Sequence, residues 1–296
     1  MSHRPVDWPS ILDGWLDEGQ AERVLAWHRV AEPSRAARPG IQIVAASAAA
    51  RTGDYELAVE LAGSACSGFA AARDDRGRFR ALNLLGGVSF ERGRLVEALA
   101  WFERARRVAA QLDDDLLLAK VANNQASILH LRGDQIGAER AYLDALASFE
   151  RAGDYRGRAQ VLQNLAIVAR EAGDPTRALS FAKSAVGQAE AHGDPAAVGM
   201  ALTALAEAEI AVAPALAPRT LARARALARQ SGDRVGLAEI ERVSSLYLSR
   251  MGDLVAASRA AAAALQQATA LDAQLVADDA RRTGARAREL AGRASV

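Results

Sequence analysis

One full period of this chain is contained in residues 93–134, which read GRLVEALAWFERARRVAAQLDDDLLLAKVANNQASILHLRGD. A glycine followed by a polar residue stands at each end of the stretch, and Asp114 lies near its middle. Helices often end at a glycine in the left-handed conformation, and an aspartate directly after the turn can cap the next helix. Two turns in 40 residues therefore predict one pair of antiparallel helices.

The same punctuation recurs over most of the chain. A first series of turns, spaced 40, 40, 40 and 79 residues apart, consists of Gly53-Asp54, Gly93-Arg94, Gly133-Asp134, Gly173-Asp174 and Gly252-Asp253. A second series interleaves with it at Asp74, Asp114, Asp154, Asp194, Asp233 and Asp272. Between the turns we predict first helices over 78–92, 118–132, 157–172, 196–212 and 235–251, and second helices over 95–112, 135–152, 175–192, 218–231 and 254–271. Such a repeat stacks into an array in which each unit contacts its neighbours.

Small residues stand at three fixed offsets within the period: seven residues before the first turn, and five and twelve residues after it. A large side chain at the point where two helices cross would push their axes apart. We therefore predict helix contacts at Ala46, Gly86, Ala126, Ala166, Ala206 and Ser245, at Ala58, Ala98, Ala138, Ala178 and Ala257, and at Ala65, Ala105, Ala145, Ala185, Ala224 and Ala264.

The small residue of the first helix, the Gly-Asp turn and the two alanines of the second helix, with Phe102 or Tyr142 between them, together form a recognisable pattern. It resembles the tetratricopeptide repeat family, in particular the long variant with about 40 residues per unit found in kinesin light chains and bacterial peptide-pheromone receptors. The resemblance runs from about Ala37 to Asp272 and implies an all-α, right-handed solenoid of antiparallel helix pairs. The fifth unit departs from it, with Val212-Ala213-Pro214 in place of Gly-Asp, and we expect a looser turn there.

Three regions are predicted along the chain: an N-terminal helical cap over 1–36, about six repeats over 37–272 with turns near 53, 93, 133, 173, 213 and 252, and a C-terminal capping helix and tail over 273–296. Ser10 to Asp13 fits a capping box that opens the first helix. Trp8, Trp15 and Trp27 crowd the N-terminal cap. They are expected to form its core, with a self-association patch leading to a homo-oligomer as the alternative.

Composition agrees with an all-helical chain, because 70 of the 296 residues are alanine and aromatic residues make up 5%. Alanine is the best helix former, and strand-forming residues are scarce. Cys66 is the single cysteine and cannot form an internal disulfide. The first 30 residues carry Asp7, Asp13, Asp17 and Glu18 among their apolar positions, unlike a signal peptide, and the longest apolar stretches fall short of the roughly 18 residues that span a membrane. We expect a cytoplasmic protein without a membrane partner.

Catalysis, cofactor binding and metal binding are not expected. The four histidines, His3, His28, His130 and His192, are scattered along the chain, no glycine-rich phosphate loop is present, and no cysteine–histidine spacing fits zinc. The arginines of 219–234 and 281–293 are the best candidates for a nucleic-acid surface. The second cluster is interrupted by Asp278, Asp279 and Glu289, and no aromatic residue lies among the arginines of either cluster. Acids nearly match bases overall, with a net charge of +1, so nucleic acid is not expected as a partner.

The expected binding surface is the concave side of the solenoid, which first helices usually line. Side-chain amides there can pair with a peptide backbone, and Asn124 and Asn164 match the asparagine with which the long-repeat family holds its ligand. Neighbouring cations favour an acidic or extended segment as the guest. The predicted site consists of Arg80, Asn83, Lys120, Asn123, Asn124, Ser127, His130, Gln163, Asn164 and Arg170. Its amides could instead cap loops or keep the groove soluble.

The function expected from this pattern is that of a non-catalytic protein-interaction scaffold that binds a peptide or partner protein in its groove. The alternative is a signal-sensing regulator, in which capture of a peptide or small molecule changes the grip on a transcription or signalling partner. An enzyme or a nucleic-acid binder is the weaker hypothesis.

Overall fold

This computed structural model describes residues 6–294, which form sixteen α-helices and no β-strand. The predicted all-α architecture of consecutive antiparallel pairs is confirmed. The helices are α1 (Trp8–Asp17), α2 (Ala21–Val30), α3 (Pro33–Ala36), α4 (Pro39–Thr52), α5 (Tyr55–Ala71), α6 (Asp75–Glu91), α7 (Leu95–Gln111), α8 (Asp115–Leu131), α9 (Gln135–Ala152), α10 (Tyr155–Glu171), α11 (Pro175–His192), α12 (Pro195–Val212), α13 (Ala217–Ser231), α14 (Arg234–Arg250), α15 (Leu254–Ala270) and α16 (Gln274–Ala294).

The turns have the predicted chemistry. The glycines of the first series all adopt positive φ values, between 70° and 87°. Aspartate side chains accept a backbone amide at the start of nine helices, at positions 54, 74, 114, 134, 154, 174, 194, 233 and 253. Because these aspartates cap directly, first helices begin up to three residues earlier than predicted, as α6 does at Asp75.

Every predicted small contact residue is buried. Gly86 shows why size matters at these crossings, since a Cβ atom there would stand 2.4 Å from Cε1 of Phe102 on the paired helix. Phe102 and Tyr142, which stand between the two fixed-offset alanines of their second helices, are each 1% exposed. The repeat's small and large residues therefore interlock.

The helices α4, α6, α8, α10, α12, α14 and α16 contact one another in succession and form an inner row. Among the described residues, neighbouring second helices (α5, α7, α9, α11, α13 and α15) make no contacts of comparable extent. The inner row is therefore the concave side of the array. The fifth unit has the expected looser turn, because four residues, 213–216, separate α12 from α13 where the other first turns use two or three.

The N-terminal segment differs from the prediction in one respect. The proposed capping box at Ser10 is wrong: α1 begins at Trp8, Asp7 occupies the N-cap position, and Ser10 Oγ donates a hydrogen bond to Asp7. The acid of the box, Asp13, does not reach back to Ser10, because it forms an ion pair with Arg80 of α6.

The three N-terminal tryptophans pack against the chain's own core. Trp8 and Trp27 stack with ring centroids 4.7 Å apart, and both rings, like that of Trp15, lie partly buried against the cluster that contains Leu12 and Val24. This packing agrees with the expected core role. Self-association through the same residues stays a prediction.

The two ends of the array meet. α14 contacts α4, and α16 contacts α6. We call this contact the seam. A Cβ atom on Gly53 would stand 2.9 Å from Leu271 Cδ2, Arg92 forms an ion pair with Asp272, and Arg51 pairs with Asp194 at 3.1 Å. The solenoid therefore completes a turn and places its first two units on its last ones.

One helix, α12, is long and apolar enough to cross a membrane by length and composition alone. This differs from the expectation drawn from apolar stretches, because the alanine, valine, leucine and isoleucine residues of α12 raise its mean hydropathy, although scattered polar residues interrupt the apolar run. Within the array α12 is 56% buried, and it contributes Leu202 and Ala206 to the core. Its apolar composition is accounted for by packing between α10 and α14.

Candidate functional site

A cavity of about 300 Å³ lies on the inner row where α6, α8 and the start of α10 come together. Its wall is polar and charged, with an apolar patch at Leu84 and a gap at Gly87, where a Cβ atom would meet nothing within 4 Å. The lining residues are Asn83, Leu84, Gly87, Lys120, Asn124, Asp154, Arg156, Gly157 and Gln160. The cavity lies in the second to fourth repeats, as do the residues of the predicted site.

The predicted amides come together, but they bind one another. Asn124 Nδ2 donates to Asn83 Oδ1 at 2.9 Å, and Asn164 Nδ2 donates to Asn123 Oδ1 at 3.1 Å. A longer bond of 3.3 Å from Asn123 to Asn124 joins the two pairs into one chain across α6, α8 and α10. Within the described residues, the amide hydrogens of Asn83 and the carbonyl oxygen of Asn164 are the two ends of this chain. The amides therefore hold the inner helices in register and keep only part of their capacity for a ligand.

Two predicted site residues belong to the packing. Asn123 is 1% exposed, and Ser127 accepts a hydrogen bond of 2.8 Å from the hydroxyl of Tyr142 on the outer helix α9. Burial raises the pKa of Tyr142 to about 12, so its hydroxyl stays protonated and can donate. Gln163 lies half-buried on α10 outside the cavity lining.

The predicted basic residues all lie beside carboxylates of the chain itself. Arg80 pairs with Asp13 at 3.2 Å, Lys120 with Asp154 at 3.0 Å, and His130 Nε2 lies 2.7 Å from Glu171. The groove is therefore less positive than the stripe of cations suggests.

These pairs shift the acids toward the charged form. Burial by itself would raise the pKa of Asp154, but the Gly157 amide and the charge of Lys120 outweigh it and hold the pKa below its usual value. The hydrogen bond with His130 lowers the pKa of Glu171.

At the far end of the row a buried ion network replaces open groove. Arg170 pairs with Glu207 at 2.7 Å, and Glu207 also pairs with Arg242, which is 7% exposed. Burial tends to raise the pKa of Glu207, and the two arginines together hold it below its ordinary value. Arg170 is thus separated from the cavity and contributes to packing between α10, α12 and α14.

Arg156 was missed by the sequence reasoning. The predicted site residues on α10, which are Gln163, Asn164 and Arg170, lie in the middle and at the end of the helix, whereas Arg156 stands in its first turn, just after the cap Asp154. Its Nη2 atom donates to Asp194 at 2.9 Å and to Asp17 at 2.7 Å. The partner from the N-terminal helix, far away in sequence, gave no signal that could have identified it.

No group of three or more histidine, cysteine, aspartate or glutamate side chains within residues 6–294 is arranged to hold a metal ion. The cavity wall offers amides, a lysine, an arginine and one carboxylate. Such a set can bind peptide groups and carboxylates through hydrogen bonds and ion pairs.

Comparison with known proteins gives one family match and several structural likenesses. Residues 77–151 match the family model described as tetratricopeptide repeat. No curated protein matches the chain. A solved Rap protein in complex with competence and sporulation factor is similar with a TM-score of 0.63 and 12% identity, over 91% of this chain and 79% of that one.

Two further structures share the fold. Aspartyl phosphate phosphatase F from Bacillus subtilis is similar with a TM-score of 0.54 and 12% identity, over 97% of this chain and 75% of its own. A signal transduction ATPase with numerous domains from Pyrococcus horikoshii, which carries a tetratricopeptide repeat sensor, gives 0.55 and 13%, over 98% of this chain and 49% of its own. At these identities the likeness concerns the fold.

Proposed function

We propose that this chain, a tetratricopeptide-type helical repeat protein, is a non-catalytic interaction scaffold that binds a peptide or a segment of a partner protein in the cavity between α6, α8 and α10. The observation that carries the proposal is the cavity itself, whose polar wall is shared by three successive units. A preformed site of this kind binds without a large ordering cost for the protein.

The chemistry of the wall indicates an extended guest with acidic groups. The amide hydrogens of Asn83 can pair with a peptide carbonyl, and Lys120 and Arg156 can pair with carboxylates. The likeness to a Rap protein solved with a bound signalling factor is consistent with a peptide guest. We also propose that the protein acts in the cytoplasm.

Gly87 provides a sharp test. Gly87→Leu puts a side chain into the cavity from a position with open space, so it should block a guest without disturbing the core. Gly187→Leu is the matched control, because Gly187 lies exposed inside the outer helix α11 and also has nothing within 4 Å of its Cβ position. Both changes exchange a helical glycine for the same better helix former.

Peptides selected from a random library on the wild-type chain serve as probes, with affinities measured by fluorescence anisotropy. We expect Gly87→Leu to weaken binding by about tenfold or more, which corresponds to roughly 1.4 kcal/mol. Gly187→Leu should bind as the wild type does. Equal affinities for all three proteins, with unchanged helical circular dichroism, contradict a binding role for the cavity.

A second candidate function is that of a signal-sensing regulator, favoured by the seam. Because α6 both lines the cavity and contacts α16, a guest that moves α6 would also change how the ends of the solenoid meet. Small-angle scattering with and without a selected peptide tests this, since a pure scaffold should keep its radius of gyration.

A further inference from the structure

The N-terminal helix α1 packs against α4, and two of its acids reach arginines on α6 and α10. Asp13 and Asp17 are four residues apart, so both stand on one face of the helix. Asp13 Oδ1 lies 3.2 Å from Nη2 of Arg80, and Asp17 Oδ1 lies 2.7 Å from Nη2 of Arg156. One short helix therefore reaches both the second and the fourth unit through carboxylates.

Arg156 is held ready for a carboxylate. Asp194 caps α12, has a side chain only 3% exposed, and accepts from both Arg156 and Arg51. This buried anchor fixes the guanidinium of Arg156 at the cavity wall, whether or not Asp17 is present. Positioned guanidinium groups are well suited to bind carboxylates.

The acids of α1 are replaceable, although α1 itself is not. Leu12 and Leu16 are buried in the core, and Arg51 donates a hydrogen bond of 2.8 Å to the backbone carbonyl of Leu16. The two carboxylates, by contrast, have side chains 37% and 52% exposed. Exposed ion pairs contribute little in water, so a guest can take over the arginines while α1 stays in place.

We propose that α1 is a built-in competitor of the groove's ligand: Asp13 and Asp17 occupy Arg80 and Arg156, and the ligand is an acidic peptide whose carboxylates replace them. This inference rests on the proposed binding function of the cavity. Lys120, which lies on α8 between the two arginines and pairs with Asp154, remains in place when the guest enters. A guest therefore needs enough carboxylates to replace Asp13 and Asp17.

The experiment compares the full-length wild type with Asp13→Asn/Asp17→Asn. The probe is a fluorescein-labelled peptide of alternating glutamate and glycine, with a glutamine–glycine peptide as its uncharged counterpart, followed by fluorescence anisotropy at low and high salt. Freeing the arginines should tighten binding of the glutamate peptide by about three- to tenfold. The glutamine peptide should not respond, and salt should reduce the gain.

Glu18→Gln/Glu22→Gln is the matched control, since it removes two exposed acids from the same segment and leaves both arginine pairs intact. An equal gain in both double variants shows a general charge effect and overturns the inference. So does an absence of gain in Asp13→Asn/Asp17→Asn, or a glutamate peptide that binds none of the three proteins. The proposed function fails separately, if Gly87→Leu leaves the affinity for library-selected peptides unchanged.

Discussion

Gly86 and Gly87 stand side by side in α6, and their surroundings are opposite. The Cβ position of Gly86 overlaps the ring of Phe102, whereas that of Gly87 faces open cavity. Gly86 is a packing residue of the repeat, and Gly87 belongs to the site. Glycine is therefore required by helix packing at position 86, whereas at position 87 it leaves the cavity open.

Alanine substitutions distinguish the packing role of Gly86 from the open position of Gly87. Gly87→Ala should stabilise the chain by about 0.5–1 kcal/mol, because it removes a glycine from a helix interior at a place with room. Gly86→Ala gains the same propensity but forces Phe102 aside, and overpacking of this kind costs about 1–3 kcal/mol. Urea unfolding followed by circular dichroism measures both. Equal midpoints for the two variants would show that Phe102 yields without cost.

The site could be predicted only in part at the residue scale. The periodicity places Asn83, Lys120 and Asn124 on one side of the inner row, and all three line the cavity. It did not show that Asn83 and Asn124 bind each other, nor that Arg80 is occupied by Asp13. Side-chain partners from other units depend on distances that spacing alone does not contain.

Among the second helices, α7 lacks the aspartate N-cap that α5, α9, α11 and α15 have. Arg94 occupies the N-cap position, and its side chain makes no capping hydrogen bond, whereas Asp54, Asp134, Asp174 and Asp253 cap the second helices at the equivalent turns. One of the first backbone amides of α7 therefore lacks the side-chain acceptor that the corresponding amide has in those four helices.

Arg94→Asp should correct this and raise the free energy of unfolding by about 0.5–2 kcal/mol. The acid would also stand favourably at the positive end of the helix dipole. Arg94→Ala is the control, since it removes the arginine and its 3.8 Å pair with Glu97 without adding a cap. If the alanine variant gains as much as the aspartate variant in urea unfolding, the cap is not the cause.

In the turns of the second series, helix packing outweighs the local preference for glycine at positive φ. Gly153, Gly193 and Gly232 adopt positive φ there, and Arg73, Asp113 and Asp272 adopt the same left-handed backbone at 56°, 51° and 53° without being glycine. Non-glycine residues seldom take this conformation. The packing of the helix pairs on both sides determines the turn.

For the whole molecule, the seam is the distinguishing feature, and it contains an acidic cluster. Glu91 ends α6, while Asp233 and Glu239 belong to the cap and first turns of α14. Burial first, and then the charges of Glu239 and Asp233, raise the pKa of Glu91 from 4.5 to about 7. Burial also raises the pKa of the nearby Tyr55, and the charges of Glu91, Asp233 and Asp272 add to this, so these groups share one neighbourhood.

The seam should therefore weaken as the pH rises. A folded-state pKa above the unfolded value means that the folded chain holds the proton more tightly, so stability falls between about pH 4.5 and 7 and stays low above that range. Glu91→Gln should raise the thermal midpoint at about pH 8 and change it little at about pH 5. Glu150→Gln, on the exposed face of α9, is the control and should respond at neither pH. A midpoint for Glu91→Gln that shifts equally at both values contradicts the role of its charge.

The sequence by itself determined the helices, their pairing and the residues at which they cross, because each of these depends on contacts within one period or between adjacent periods. The 40-residue spacing and the alanine offsets were sufficient for that. The tertiary structure alone decided that the array closes on itself, that Asp17 of α1 reaches Arg156, and that Arg156 is part of the cavity wall. These features join residues more than a hundred positions apart, such as Asp17 and Arg156, and they result from small rotations per unit that accumulate along the solenoid. No local sequence pattern determines this accumulated rotation.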